Sequence, residues 1–166
     1  MKVLSRIAAL AVALIAGSSS AVAAPPPVRS DLLPTVIKAG EGCDFKLRVE
    51  GTDANARVKT FKNGRQITSG KGYLVTYTNV KSGESLTFET NGSAEIISAP
   101  DANNVVTVTA TGSYGLILFP SDLPQELTPS AIQYTGRIVY TVDLDTGVFT
   151  LISSSGQQQD ICAGLS

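Results

Sequence analysis

Few residues in this chain are suited to catalytic chemistry, because histidine is absent from all 166 positions. Without imidazole there is no general base for Ser-His-Asp or Cys-His catalysis and no histidine ligand for zinc. The two cysteines, Cys43 and Cys162, are an even count, which predicts a disulfide in a protein that leaves the cytoplasm. A thiolate nucleophile is then excluded, and carboxylate pairs, a Ser-Lys arrangement or a hard-metal site are the remaining enzymatic options.

Asp145-Thr146-Gly147 is the tripeptide that carries the catalytic aspartate of aspartic proteases. Those enzymes bring two such loops together so that two carboxylates share one proton, whereas this chain has a single copy. Asp-Thr-Gly is also good hairpin chemistry, because glycine adopts left-handed conformations easily. We therefore interpret the tripeptide as a turn. Asp143 and Asp145 have the spacing of a calcium loop, but the later oxygen ligands are missing, so no metal site is predicted.

Tyr73 and Tyr77 form the first candidate for recognition. They lie on one face of a predicted strand and would make a shallow aromatic strip of the kind on which sugars stack. We favour the other interpretation, in which both rings pack in the core or against a neighbouring strand with Val75 between them.

A proline-rich loop after a buried strand is the second candidate, because such loops on rigid β scaffolds often carry recognition. It comprises Pro120, Ser121, Asp122, Leu123 and Pro124. A plain crossover between two sheets explains the same residues, and we favour that interpretation.

The first 23 residues have the features of an export signal. Lys2 and Arg6 give a positive start, residues 7–16 are all apolar, and residues 21–23 have small-x-small spacing. We predict cleavage between Ala23 and Ala24. The apolar run is shorter than the roughly 20 residues that span a bilayer, so the processed chain is expected to be extracellular and without a membrane span.

The remaining chain is long enough for one domain, which we place at 41–166 after a proline-rich arm at 24–40. The formal net charge of −1 gives no reason to expect nucleic acid or an anionic membrane as a partner. Basic residues concentrate in 38–81 and acidic residues in 82–166. Whether this becomes a dipolar surface depends on how the two halves interleave.

Hydrophobic and polar residues alternate from Cys43 onward, and turn residues punctuate the pattern. Turns are predicted at Gly51–Asn55, Asn63-Gly64 and Asn91-Gly92, and we interpret the glycosylation acceptor Asn91-Gly92-Ser93 as part of the last one. The apolar run 114–119 predicts a strand buried on both sides. The fold class predicted is all-β, an antiparallel β-sandwich (Ig-like or jelly-roll-like) of about eight to ten short strands, with a barrel as the alternative.

Seven short motifs follow one another along the chain from about Gly40 onward. They are Cys43-Asp44-Phe45, Asn63-Gly64-Arg65, Thr76-Tyr77-Thr78-Asn79, Gly83-Glu84-Ser85, Leu118-Phe119-Pro120, Tyr134-Thr135-Gly136-Arg137 and Asp160-Ile161-Cys162. In this order the chain resembles a group of uncharacterised exported proteins of actinomycete-type bacteria. The resemblance implies a secreted β domain and brings no activity, cofactor or site residue with it.

Taken together, the sequence favours a secreted, non-enzymatic binding or surface-associated module without a cofactor. Its expected partner is an extracellular protein or a glycan, and its oligomeric state is left open. One alternative is a small secreted hydrolase that uses carboxylates. Another is a secreted protease inhibitor that presents the loop 120–130.

Overall fold

The computed structural model describes residues 28–91 and 94–166, with side chains for all of these except 28–33 and 53. The predicted export signal and its cleavage point between Ala23 and Ala24 lie outside the described residues, as do Gly92 and Ser93 of the glycosylation acceptor. Residues 28–37 of the proline-rich arm form the first strand.

The described residues form nine strands and one short α-helix. The elements are β1 (Val28–Ile37), β2 (Leu47–Thr60), β3 (Gln66–Lys71), β4 (Leu74–Asn79), β5 (Ser85–Glu89), β6 (Ala94–Ile97), β7 (Val105–Leu118), β8 (Ser130–Asp143), β9 (Phe149–Asp160) and α1 (Ile161–Gly164). A single 3₁₀ turn (Gln125–Leu127) lies between β7 and β8. All pairings between these strands are antiparallel, which confirms the predicted fold class.

Hydrogen bonds join the strands in the order β5-β4-β2-β3-β6-β7-β8-β9, and β1 pairs with the other edge of β2. On one side, β2 has two partners in succession, because residues 47–52 pair with β4 and residues 55–60 pair with β3. The arrangement is an open sandwich with β5 and β9 at the ends of the strand order.

The turn predicted at Gly51–Asn55 is wrong, because these residues continue β2 without interruption. Here β2 exchanges β4 for β3 as its partner. Gly51 and Ala54 are buried at this point, so small residues that suggest a turn instead let the strand pass close to the interior.

A row of three glycines crosses β7, β8 and β9, which are all longer than the short strands expected. Gly112, Gly136 and Gly156 pair side by side across β7, β8 and β9. Their φ angles are 98°, 151° and 96°, a range that residues with a Cβ rarely adopt. A Cβ at Gly136 would collide with the backbone oxygen of Ser155. The row therefore bends three neighbouring strands at one level.

Tyr114 and Tyr140 show how sharp this bend is. Tyr114 lies opposite Tyr134, six residues before Tyr140 along β8, and six residues of straight strand span about 20 Å. The ring centroids of Tyr114 and Tyr140 are nevertheless only 6.4 Å apart. The strands fold over at the glycine row, and the two halves of β7 and of β8 enclose a shared interior, to which β9 adds Phe149 and Leu151.

Two hydrophobic cores result. The first core, inside the fold of β7–β9, consists of Val106, Val108, Ala110, Leu116, Leu118, Tyr134, Ile138, Tyr140, Val142 and Phe149. The second core consists of Ile37, Cys43, Leu47, Val49, Val75, Tyr77, Ala131, Ile161 and Leu165. Leu116 and Leu118 belong to the first core, while Ile117 and Phe119 pack against the second. The prediction that the run 114–119 is buried on both sides is confirmed.

The predicted disulfide between Cys43 and Cys162 is present, with the two Cα atoms 5.4 Å apart. It joins the segment before β2 to the helix α1 that follows β9. The carboxylate of Asp160 caps this helix by accepting the Ala163 N–H at 2.9 Å. Leu165 is buried just beyond the helix, and its carbonyl accepts from Asn79 Nδ2 at 2.9 Å.

The loop between β7 and β8 is a hairpin connection, because Leu118 and Ser130 are directly paired. The expectation of a crossover between two sheets at this point is therefore wrong. The sequence did not reveal the hairpin, because the run 114–119 looked like a separate strand, whereas its residues 114–118 form the second half of β7 and pair with the first half of β8. No helix among residues 28–91 and 94–166 has the length and apolar character needed to cross a bilayer.

Candidate functional site

The two tyrosines predicted as a ligand strip both contribute to the second core, Tyr77 as a buried member and Tyr73 as a half-buried residue packed against it. Tyr77 is 3% exposed, and its ring meets the ring of Phe88 edge-on at a centroid distance of 5.9 Å. Its hydroxyl occupies the space that a side chain at Gly115 would fill, and burial raises the pKa of Tyr77. Tyr73 is half-buried and lines a shallow surface cavity. The structure thus places Tyr77 in the second core, and the two rings share no exposed face.

The loop 120–124 is fastened to the sheet through Asp122, whose exposed fraction is 0%. One carboxylate oxygen accepts the Phe119 N–H at 2.7 Å, and the other accepts the Phe149 N–H at 2.9 Å. Asp122 therefore joins the end of β7 to the start of β9. Charge-assisted bonds of this kind are stronger than neutral ones, and they fix the path of the loop.

The rest of this loop lies against β9. Leu123 forms a parallel bridge to Thr150, with its N–H donating to the Phe149 carbonyl at 2.8 Å and its carbonyl accepting the Leu151 N–H at 2.8 Å. Pro120 and Ser121 are exposed, and Leu123 is 41% exposed. The loop is a pinned surface element, and the inhibitor hypothesis attached to it stays a prediction.

Asp145-Thr146-Gly147 forms the turn between β8 and β9, as predicted. The Asp143 carboxylate accepts the N–H groups of Asp145 at 2.8 Å and Thr146 at 3.1 Å, and Gly147 has a φ of 72°. Hydrogen bonds from the Thr146 side chain and from these N–H groups lower the pKa of Asp143. Among the residues with described side chains, no group of three or more Asp, Glu or Cys is placed to hold a metal ion.

A half-buried carboxylate that contacts two phenols was missed by the sequence analysis. Glu95 Oε1 accepts from the Tyr114 hydroxyl at 3.2 Å and from the Tyr140 hydroxyl at 3.4 Å, and the two hydroxyl oxygens are 2.9 Å apart. Burial raises the pKa of Glu95, although both phenols lower it through their hydrogen bonds. Burial also raises the pKa of each tyrosine. Only the fold of β7 and β8 brings these three side chains together.

A carboxyl group with a raised pKa suits general acid chemistry, which also requires a cavity for the substrate. Two cavities at the surface of the described residues have volumes of about 130 Å³ and about 140 Å³. One lies at Tyr73 and Glu89, and the other lies beside the disulfide at Asp44 and Asp160. Glu95, Tyr114 and Tyr140 line neither of them. Both cavities are smaller than the roughly 300 Å³ at which small-molecule sites begin.

The most distinctive exposed surface is the outer side of the sheet formed by β2, β3, β6, β7 and β8. Two adjacent rows of paired residues cross it, and residues paired directly opposite one another share a face. The first row is Arg57, Ser69, Ala94, Thr111 and Arg137, and the second is Lys59, Ile67, Ile96, Thr109 and Val139. With Phe61 and Arg65 at the hairpin end, we call these residues the cationic face.

The basic side chains of the cationic face gather at the β2–β3 hairpin. Lys59 Nζ lies 4.9 Å and the Arg65 guanidinium carbon lies 5.8 Å from the centre of the Phe61 ring. Both contacts are within cation–π range. Arg57, Lys59, Arg65 and Arg137 are all exposed, and none forms an ion pair with another described side chain.

Hydroxyl and aliphatic groups separate the hairpin cations from Arg137, which lies four strands away, at about 19 Å for strands spaced 4.8 Å apart. The hairpin part of this surface could be predicted from the sequence, since residues 57, 59 and 61 lie on one face of the strand before the predicted Asn63-Gly64 turn. The sequence held no signal for Arg137, because only the strand order places that residue in the same row.

Comparison with known proteins finds no matching family model, no matching curated protein and no matching solved structure.

Proposed function

We propose that this chain is an exported, non-enzymatic binding module that uses its cationic face to hold an acidic extracellular polysaccharide. The observation that carries the proposal is that four exposed cations share one sheet face and form no ion pair with another described side chain. Three of them lie in the two rows, which contain no carboxylate, and Arg65 lies at the hairpin end. Opposite charge provides attraction to a polyanion, and the open face suits an extended chain better than a compact ligand.

The groups between the cations fit the same ligand. Thr109 and Thr111 place hydroxyls along the path from the hairpin to Arg137, where they can exchange hydrogen bonds with sugar hydroxyls. The path of about 19 Å is long enough for several sugar units in a row. Export is supported by the leader-like first 23 residues and by the disulfide, which persists in oxidising compartments.

Hydrolysis is less well supported than binding. A carboxylate mechanism requires two convergent acids, one of them with a raised pKa. Glu95 has the raised pKa, but the groups that contact it are Tyr114 and Tyr140. Asp143 and Asp145 are close to each other at the surface, but the pKa of Asp143 is lowered.

The experiment is a binding titration with polygalacturonate as the acidic polysaccharide and dextran as the neutral one. We expect binding to polygalacturonate alone, with an affinity that falls steeply as salt is added because exposed charges are screened. The double variant Arg57→Gln/Lys59→Gln should bind about tenfold more weakly, which corresponds to roughly 1.4 kcal/mol.

The matched control is Lys46→Gln/Lys81→Gln, which removes the same charge from two exposed lysines outside the cationic face. We expect this control to bind within about twofold of the unmodified chain, a difference of roughly 0.4 kcal/mol. Equal losses for both double variants would show that only net charge matters, and the proposed face would be wrong. Equal binding to dextran would reject the acidic ligand.

A further inference from the structure

The outer edge of β9 is a second exposed feature, separate from the cationic face. β9 pairs with β8 on one side, and on its other side Leu123 bridges to Thr150. Within the described parts of the chain, no other residue pairs with that outer edge, so it is open from Ile152 to Asp160. The pairing of β8 with β9 shifts between Val139–Ser153 and Tyr140–Leu151, which leaves Ile152 without a partner in β8. The side chain of Ile152 is 58% exposed.

This open edge lacks the usual protection against pairing with another strand. Natural edge strands are interrupted by prolines or carry charged side chains, and lysine is especially common. Between Phe149 and Gln159 the strand contains neither a charge nor a proline. Its bulge lies at Ile152, before the run 153–159, which pairs continuously with β8.

The run 153–159 is self-complementary when it is read antiparallel to itself. Its sequence, Ser-Ser-Ser-Gly-Gln-Gln-Gln, has Gly156 at the centre. If two copies pair with their Gly156 residues opposite one another, each serine faces a glutamine of the other copy. Every cross-strand pair is then neutral and can form hydrogen bonds, so no like charges meet.

The bend at the glycine row restricts which strand can fit this edge. Gly156 has a φ of 96° and continues the row begun by Gly112 and Gly136. A straight partner strand would part from β9 on one side of this bend. A second copy of β9 centred on its own Gly156 is bent at the matching position and stays in contact on both sides.

We propose that this chain forms a symmetric dimer in which the two β9 strands pair antiparallel about Gly156. The occupant of the edge is a second copy of this chain, and the pairing extends the sheet from one subunit into the other. Seven residue pairs make an interface smaller than a standard one, so we expect a weak dimer, and the test assumes a dissociation constant on the order of 100 μM. The proposal is independent of the polysaccharide site.

The test is sedimentation velocity over a range of protein concentrations, with charges introduced at positions that face each other only in this register. Ser153 and Gln159 lie near opposite ends of the run, and the proposed register places Ser153 of one copy opposite Gln159 of the other. The variant Ser153→Lys/Gln159→Lys sets like charges opposite each other twice and should be monomeric. The variant Ser153→Lys/Gln159→Glu sets opposite charges together twice and should dimerise at least as well as the unmodified chain.

Thr87→Lys provides the control, because it adds a charge to β5 at the other end of the strand order and should leave the dimer intact. A chain that stays monomeric to about 500 μM would overturn the proposal, since that is well above the assumed dissociation constant. Dimers that survive the lysine–lysine variant, or that are lost in the lysine–glutamate variant, would overturn the register. Wild-type polysaccharide binding by a monomeric variant would leave the proposed function standing.

Discussion

The Tyr114 hydroxyl lies 2.9 Å from the Tyr140 hydroxyl, and both donate to the same oxygen of Glu95. Tyr114 and Tyr140 come from opposite sides of the glycine row, and Glu95 comes from β6. This contact can therefore form only when the bent sheet has closed around its interior. It also places an ionisable group where its charge is costly.

Replacing Glu95 with glutamine should stabilise the protein at neutral pH. The folded-state pKa of Glu95 is raised, so its favourable contribution is complete below the unfolded pKa and is lost as the pH rises through the folded pKa. The amide keeps an oxygen that accepts from both phenols and never ionises. The stability advantage of Glu95→Gln should therefore grow with pH and then level off, as measured by urea unfolding between pH 4 and pH 8.

The exposed Glu84 provides the comparison, because Glu84→Gln makes the same chemical change at a carboxylate that faces solvent. Its unfolding free energy should follow that of the unmodified chain across the pH range. Parallel curves for Glu95→Gln and the unmodified chain would contradict a raised pKa at Glu95.

Substituting alanine for Gly136 should be severely destabilising. The new Cβ would meet the Ser155 backbone oxygen, and the φ of 151° is unfavourable for any residue with a Cβ. We expect a loss of about 3 kcal/mol or more in the free energy of unfolding. Gly83→Ala is the control, because Gly83 also has a positive φ but has no neighbouring atom within 4 Å of an added Cβ. It should lose only about 1 kcal/mol, and equal losses would show that crowding at the glycine row is unimportant.

Asp122→Ala should weaken the attachment of the loop to β9. The substitution leaves the buried N–H groups of Phe119 and Phe149 without their carboxylate acceptor, at a cost of roughly 2–4 kcal/mol. Asp101 also accepts two backbone N–H groups, at 2.8 Å and 3.0 Å, but it is exposed. Water can replace it there, so Asp101→Ala should cost less than about 1 kcal/mol. Denaturant midpoints of the two variants give the comparison. A smaller loss of stability in Asp122→Ala than in Asp101→Ala would contradict the expectation.

Reducing the Cys43–Cys162 bond should destabilise the fold by up to about 4–5 kcal/mol, because the bridge closes a loop between residues 119 positions apart. The check is thermal unfolding with and without reductant. Mass spectrometry of a nonreduced digest verifies the bond in the starting material. Melting temperatures that do not change on reduction, or unlinked Cys43 and Cys162 peptides in the digest, would contradict this expectation.

The fold class and the disulfide could be predicted from sequence because they depend on local alternation and on a cysteine pair with one way to connect. The strand bounds were harder, because a glycine inside a strand looks the same as a glycine in a turn. Gly51 was assigned to a turn for this reason, and the run 114–119 was predicted as a separate strand although β7 continues through Gly112. The expected crossover after Phe119 followed from that prediction.

The candidate sites were only partly accessible to the same reasoning. The alternating pattern of the strand shows which residues share a face with Tyr77 but not whether that face is exposed or buried. Only the packing of β4 against β7 shows that Tyr77 is buried. Glu95 gave no signal, because its two phenol partners come from strands distant in sequence. The cationic face combined a local pattern at residues 57–65 with Arg137, whose position follows from the strand order.

The disulfide also determines how the molecule responds to tension. Cys43 precedes β2, and Cys162 follows β9, so a force pulling on the two ends of the chain passes from one sulfur to the other. The strands from β2 to β9 lie in the loop that the bridge closes and carry none of this load. Among the described strands only β1 lies outside it, and the pull acts along the length of β1, because its Ile37 end leads to Cys43 and Val28 is at its far end. Cutting the bond with a reductant would expose every strand to the pull at once.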